Sequence, residues 1–178
     1  MELDLKPSQK KLADMKALGA KFRGEYLNEV TILEYEMEQI IINYFTSGHK
    51  EKSKELLHAF AGFRDTNYNT KRNLVAFISH RFPKFIKYCS DLDGYLQDVS
   101  AFRNIIAHQK MSLTPKDWNN FDYKNVNFFD TTTKDRKVIN KPYSINQEKI
   151  DAEIKIVHVA NNLCNLLLDM VLLENHKP

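Results

Sequence analysis

The chain has 178 residues, 43% of them hydrophobic and 28% charged. That length fits a single domain with its own core, built without disulfide or metal staples, and the apolar content excludes intrinsic disorder. Lys plus Arg total 26 against 23 Asp plus Glu, a net charge of +3. This permits a nucleic-acid partner but lacks the dense basic stripe of a dedicated DNA binder. No apolar run approaches the ~20 residues of a membrane helix. The opening segment, with its charges and Pro7, does not read as a secretory signal. The expectation is a cytoplasmic protein without a membrane partner. Cys89 and Cys164 form no CxxC pair and no zinc spacing, and read as buried free thiols. Five glycines and five prolines favour helix over an all-β fold.

Residues 8–20 read as a first helix, with a bend or break at Gly19 and Gly24. Leu27, Val30, Leu33, Met37, Ile40, Ile41 and Tyr44 then recur at three- and four-residue spacing and form one apolar helix face. Ser47-Gly48 ends that helix. Residues 51–62 predict a short helix with Leu56, Leu57 and Phe60 inward, and Phe63 to Thr70 a polar, aromatic loop. Lys71 to Tyr88 reads as helix interrupted at Pro83, where the missing donor dictates a kink or two short helices. Asp91 can cap the next helix, which runs to about His108 with Leu92, Tyr95, Leu96, Val99, Phe102 and Ile106 as its stripe. Between residues 111 and 145 the helical pattern lapses. Val126-Asn127-Phe128 and Lys137-Val138-Ile139 flank Thr131 to Asp135, which predicts a small β-hairpin or an ordered long loop. A Ser-x-x-Gln capping box at Ser144 to Gln147 opens the last helix. Its face is Ile150, Ile154, Val157, Ala160, Cys164, Leu167 and Val171. The sum is all-α: an up-and-down helical bundle in one domain, 1–178, with an insertion at 111–145 before the last helix.

The chemically informative segment is Phe102-Arg103-Asn104-Ile105-Ile106-Ala107-His108. At 100° per residue, Arg103 and His108 sit about 140° apart on a helix, so they do not stack as an i, i+4 pair. His108 shares a small, polar stripe with Gln97, Ala101 and Asn104, opposite the apolar face and suited to close contact with a second copy of the chain. A shared site is most easily built at the helix end, or across a two-fold axis. A neutral imidazole can take the proton of a ribose 2′-OH or protonate the leaving 5′-oxygen. A guanidinium can hold the phosphate in a fork and stabilise its charge. Asn104 can hold the phosphate or orient the imidazole. Such chemistry requires neither metal nor cofactor, and the internal nucleophile restricts the substrate to RNA. Taken as spacing alone, R-x4-H also describes a structural ion pair beside a solvated helix-terminal His.

This segment closely resembles the R-x4-6-H signature of the HEPN superfamily, in which a polar residue commonly follows the Arg. The context is similar to that family over roughly residues 25–173. An early long helix carries Glu34, Tyr35 and Glu38, the motif ends a helix past the chain's middle, and an amphipathic helix closes the chain. The resemblance implies an all-α bundle, a homodimer with two motifs facing one cleft, and metal-independent endoribonuclease activity, often in toxins or phage defence. Carried over, Arg103 and His108 are the catalytic pair and Asn104 the supporting polar residue. One toxin branch has a Tyr two positions after the His, modified by its antitoxin; here that position is Lys110. Other members serve only as binding or dimerisation modules for a protein or nucleotide partner, which is the alternative reading.

Glu34 and Glu38, one turn apart, read first as a solvated helix face. Paired carboxylates can also do acid–base work or bind metal, or one of them can orient Arg103. His49, His58, His80, His158 and His176 are scattered; His158, beside the last apolar face, reads as a hydrogen-bonded core or interface residue. Lysines 50, 52 and 54, Lys71-Arg72, Arg81, Lys84 and Lys87, and Lys134, Arg136 and Lys137 are solvated faces or, beside Tyr and Phe, the lining of an RNA groove. Trp118 and Phe121 read as a local core.

Overall fold

The computed structural model describes residues 7–59, 66–134 and 137–175, with side chains omitted at 57–59 and 130–142. Among the described residues, seven helices and three strands follow one another. They are α1 (Pro7–Thr46), α2 (Lys50–Ala59), α3 (Tyr68–Ser79), α4 (Pro83–Tyr88), α5 (Leu92–His108), β1 (Lys110–Met111), α6 (Pro115–Asn119), β2 (Val126–Lys134), β3 (Lys137–Ile145) and α7 (Gln147–Asn175). The chain is mostly helical, as its composition predicts, with a small antiparallel sheet before the last helix. It divides into two compact units: Met1–Asn28 with Ala101–Ile154, and Glu29–Ser100 with Lys155–Pro178. We call these the motif unit and the second unit.

The expected bend at Gly19 and Gly24 does not occur: α1 is one helix of 40 residues. Gly19 serves packing instead, since a Cβ there would come within 2.5 Å of the Met111 sulfur. Ser47 and Gly48 adopt positive φ of 50° and 73° and end the helix as read. Asn67 caps α3, its side chain accepting from the Thr70 N–H at 2.9 Å, so the expected loop ends two residues before Thr70's predecessor Asn69 is reached. Pro83 stands in the first turn of α4, where its missing donor costs nothing, and the segment resolves into two helices.

The inserted region takes the hairpin form. β2 pairs with β3 from Val126↔Ile145 to Lys134↔Lys137, and β1 adds a third strand through Lys110↔Phe129 and Met111↔Phe128. Thr131 to Thr133 are strand residues paired with Asn140 to Val138, rather than the expected turn. The pairing of Asn127 with Ser144 also places Ser144 inside β3. It therefore does not cap α7; Asn146 does, its side chain accepting from the Lys149 N–H at 2.9 Å. Helix α6 was not legible in the pattern. It is set by Pro115 in its first turn and a capping box between Thr114 and Asp117. Phe60, Phe63 to Asp65, Asp135, Arg136 and His176, and the side chains of Leu57, His58, Lys134 and of Lys137 to Ile139, lie outside the described residues.

The core of the motif unit is Phe22, Tyr26, Phe102, Ile106, Val126, Phe128, Ile145 and Ile150, each 3% exposed or less, with Phe121 at its edge as expected. That of the second unit includes Leu33, Met37, Ile40, Val75, Ile78, Phe85, Leu96, Val99, Cys164 and Leu167. Each such side chain contributes about 1.5–3 kcal/mol of burial. Cys164 is buried and free, but Cys89 is only half-buried, against expectation. One reading of the sequence needs correction in α7. It carries an 18-residue window of mean hydropathy 1.6, long and apolar enough to cross a membrane by length and composition. His158, Asn161, Asn162 and Asn165 break the linear run, but the Ile, Val and Leu residues around them keep the mean high. Val157, Ala160, Cys164, Leu167 and Val171 are nevertheless 0–1% exposed, the pattern of a helix with one face in a core.

Candidate functional site

The segment Phe102 to His108 forms the last turns of α5, and His108 is its final residue. Phe102 and Ile106 anchor it, 3% and 0% exposed. The Phe102 ring meets Tyr26 edge-on at 4.7 Å and lies 6.2 Å from Tyr143. Ala101, Asn104 and His108 are exposed, so the small polar stripe is open along this end of the helix, and Arg103 is half-buried. Arg103 and His108 are separated by about 7.5 Å along the axis and about 140° around it. The helix thus presents both groups at one end without joining them on one face.

Arg103 belongs to a charged cluster that the sequence did not announce. Burial pushes the Tyr26 hydroxyl far above its ordinary range, and the Glu153 carboxylate adds to this while the Arg103 charge opposes it. Glu153 is 8% exposed and pairs with Lys149 at 2.5 Å. The hydrogen bond from Lys149 to Glu153 outweighs partial burial and raises the Lys149 pKa; Tyr143 contributes in the same direction. The Lys149 ammonium also stands 5.8 Å from the centre of the Phe102 ring. Arg103 and the Glu153 carboxylate, itself paired with Lys149, thus meet around Tyr26. The traceable signal was the i, i+4 spacing of Lys149 and Glu153 at the start of α7.

Just past His108, Arg23 donates from Nη2 to the Gln109 carbonyl, in the position of a helix C-terminal cap. Its guanidinium lies 5.0 Å over the Phe128 ring. Arg23 Nε and Gln109 Oε1 are buried without partners among the described residues. The chain then enters β1 directly, so His108 stands at the junction of helix and sheet.

The remaining candidates resolve differently. Glu34 and Glu38 are not a solvated face. Both hold Lys71, each at 2.8 Å. The Lys71 side chain is 3% exposed and the carboxylates 19% and 20%. Burial works against the Lys71 ammonium, but hydrogen bonds and charge from Glu34 and Glu38 overcome it and raise its pKa. Lys71 is therefore no part of a basic face. His158 is exposed rather than core, with Nε2 3.0 Å from Glu29. Trp118 is half-buried beside buried Phe121. In the motif unit a polar cavity of about 420 Å³ is lined by Asp117, Asn120, Asp122, Asn125 and Asn127. Its carboxylates are engaged: Asp117 accepts from Ser112 and Thr114, and Asp122 from Lys124 and Asn125. Those hydrogen bonds overcome burial at Asp117, and lead at Asp122, to lower both pKa values. Among the described residues no three His, Cys, Asp or Glu side chains converge as a metal site would.

No protein-family model, curated protein or solved structure matches this chain.

Proposed function

We propose that the chain is a HEPN-like, metal-independent endoribonuclease acting as a homodimer, with Arg103 and His108 as its catalytic pair and Asn104 in support. The observation that carries this reading is the open end of α5, where exposed His108 and Asn104 accompany a half-buried Arg103 that lies in a charged cluster with Glu153 and Lys149. In the proposed reaction neutral His108 removes the ribose 2′-OH proton. The 2′-oxygen bonds to phosphorus, the bond to the 5′-oxygen breaks, and that oxygen takes up a proton. The products are a 2′,3′-cyclic phosphate and a 5′-hydroxyl. Arg103 holds the phosphate and stabilises its charge. A second copy of the chain, docked on the stripe of Ala101, Asn104 and His108, supplies the facing motif that one helix cannot provide. A role as a toxin or phage-defence effector, with an antitoxin as partner, belongs to the same proposal.

The test is cleavage of mixed cellular RNA in EDTA by the wild type, His108→Ala and Arg103→Ala, each first shown to be a folded dimer. Cutting that both substitutions reduce at least 100-fold supports the reading. Equal activity of all three overturns it. A second reading, a non-catalytic binding or dimerisation module, is favoured by the half-burial of Arg103 near the neutral Tyr26 hydroxyl and the Glu153 carboxylate. Inactivity of all three proteins on mixed and structured RNAs moves the conclusion there.

A further inference from the structure

The corner joining α3 to α4, in the second unit, has a composition found nowhere else in the chain. Across residues 66–90 there is no Asp or Glu, but there are five Lys or Arg. Lys71 is engaged by Glu34 and Glu38, and Arg72 approaches Asp93 at 3.4 Å. Arg81, Lys84 and Lys87 remain, all exposed and in no ion pair among the described residues. Two of them lie on aromatic rings that are themselves in solvent. Arg81 sits 4.9 Å over Phe77, which is 45% exposed, and Lys87 sits 5.6 Å over Tyr88, which is 75% exposed. Arg81 and Lys84 also line a groove of about 550 Å³ together with Phe82, Pro83, Met170, Leu173 and Glu174. Leu173 is 69% exposed.

We propose that this corner binds single-stranded nucleic acid, with bases stacked on Tyr88 and Phe77 or lodged in the apolar groove and phosphates held by Arg81, Lys84 and Lys87. The chemistry favours this occupant. Every base has a flat apolar face that suits exposed rings and an aliphatic groove, and every nucleotide brings one negative charge to a cationic rim. Arginine over an aromatic ring extends the stacking platform. An acidic amphipathic peptide would also meet the rim and the groove floor, but it leaves the solvent-facing ring of Tyr88 unused. Glu174 is the one carboxylate lining the groove, and it sits among the α7 residues, away from the three cations in sequence. This surface does not depend on the cleavage reading, because it concerns binding by different residues in the other unit.

The experiment is fluorescence anisotropy with labelled 12-mers of oligouridylate and oligothymidylate, measured from 50 to 300 mM salt. The protein carries His108→Ala so that no probe is consumed. Arg81→Gln/Lys84→Gln/Lys87→Gln should lower the slope of log affinity against log salt by about 2, since each phosphate contact on a single strand contributes roughly 0.7. Tyr88→Ala, at a solvent-facing position that leaves the fold intact, should weaken binding about fivefold to a hundredfold with the slope unchanged. A control, Lys50→Gln/Lys52→Gln/Lys54→Gln, makes the same charge change on α2. The proposal is overturned if the control weakens binding as much as the triple variant, or if neither the triple variant nor Tyr88→Ala changes affinity. It is equally overturned if an acidic amphipathic peptide binds this corner while neither oligonucleotide does. Tighter binding of the uridylate than the thymidylate identifies RNA as the physiological strand, and equal binding identifies a surface for either.

Discussion

The two units each contain a three-residue charged cluster, and the two clusters are built in opposite ways. In the second unit one cation, Lys71, lies between two carboxylates, Glu34 and Glu38, at 2.8 Å from each. Its ammonium is out of solvent, with a side chain 3% exposed. In the motif unit the central charged group is a buried carboxylate, Glu153, which pairs with Lys149 and shares the surroundings of Tyr26 with Arg103. Lys149 keeps 40% of its side chain exposed. The two groups of charges look equally suggestive in sequence, yet they differ in which sign is buried at the centre and in how much solvent the lysine keeps.

The comparison can be broken most forcefully at the motif. Loss of cleavage by at least 100-fold in His108→Ala and Arg103→Ala, with Lys71→Met still active when folded, would assign chemistry to one cluster and stability to the other. The second-largest effect is expected at Lys71 itself. Replacing it with Met strands two carboxylates that have little solvent, a loss of about 3 kcal/mol that denaturant unfolding would register. The same contribution has a predictable pH window. The folded-state pKa of Lys71 lies above its unfolded value, so the stabilisation is fully present below about pH 10 and is lost as pH rises through the folded pKa. Thermal melts between pH 8 and 11.5 should fall for the wild type more steeply than for Lys71→Met; parallel curves would rule this account out.

Lys149→Gln is a smaller and sharper test. Its half-exposed ion pair with Glu153 should cost only about 1 kcal/mol of stability. If the cluster holds substrate, the KM for RNA should rise several-fold while kcat stays near wild type, because a phosphate contact remote from the reacting bond contributes uniform binding. A fall in kcat alone would place Lys149 in the reaction instead. The smallest effects belong to the two glycines of α1. Nothing lies within 4 Å of a Cβ built at Gly24, so Gly24→Ala should stabilise by up to ~1 kcal/mol through helix propensity. At Gly19 the Met111 thioether must first move aside, which should cancel that gain. Equal stabilisation by both would show that Met111 yields freely.

What the sequence revealed follows from what is local. The stripes of α5 and α7 were legible because burial repeats every three or four residues, and Leu96, Val99, Phe102 and Ile106 are all 3% exposed or less. Pro83 announced its helix break by removing one donor. The misreadings came from competition between local signals and distant partners. Ser144 has the spacing of a capping box, but its backbone is committed to pairing with Asn127, so the cap moves two residues on to Asn146. Gly19 looks like a breaker, yet the residue that explains it, Met111, is far away in the chain. Lys71 looked like surface charge because its partners Glu34 and Glu38 lie more than thirty residues earlier. The positions of Arg103, Asn104 and His108 at a helix end could be read directly. The company of Tyr26, Lys149 and Glu153 could not, since two distant segments, α1 and α7, supply it.

Cys164 gives the second unit a built-in chemical recorder. Burial, helped by the charge of Glu36, pushes its thiol up to about 12, while Cys89 is half-buried on the way out of α4. At neutral pH the reactive thiolate of Cys164 is therefore scarce as well as inaccessible. A thiol reagent reaches it only when the buried face of α7 opens, so its rate of alkylation counts those openings one molecule at a time, with no engineered label required.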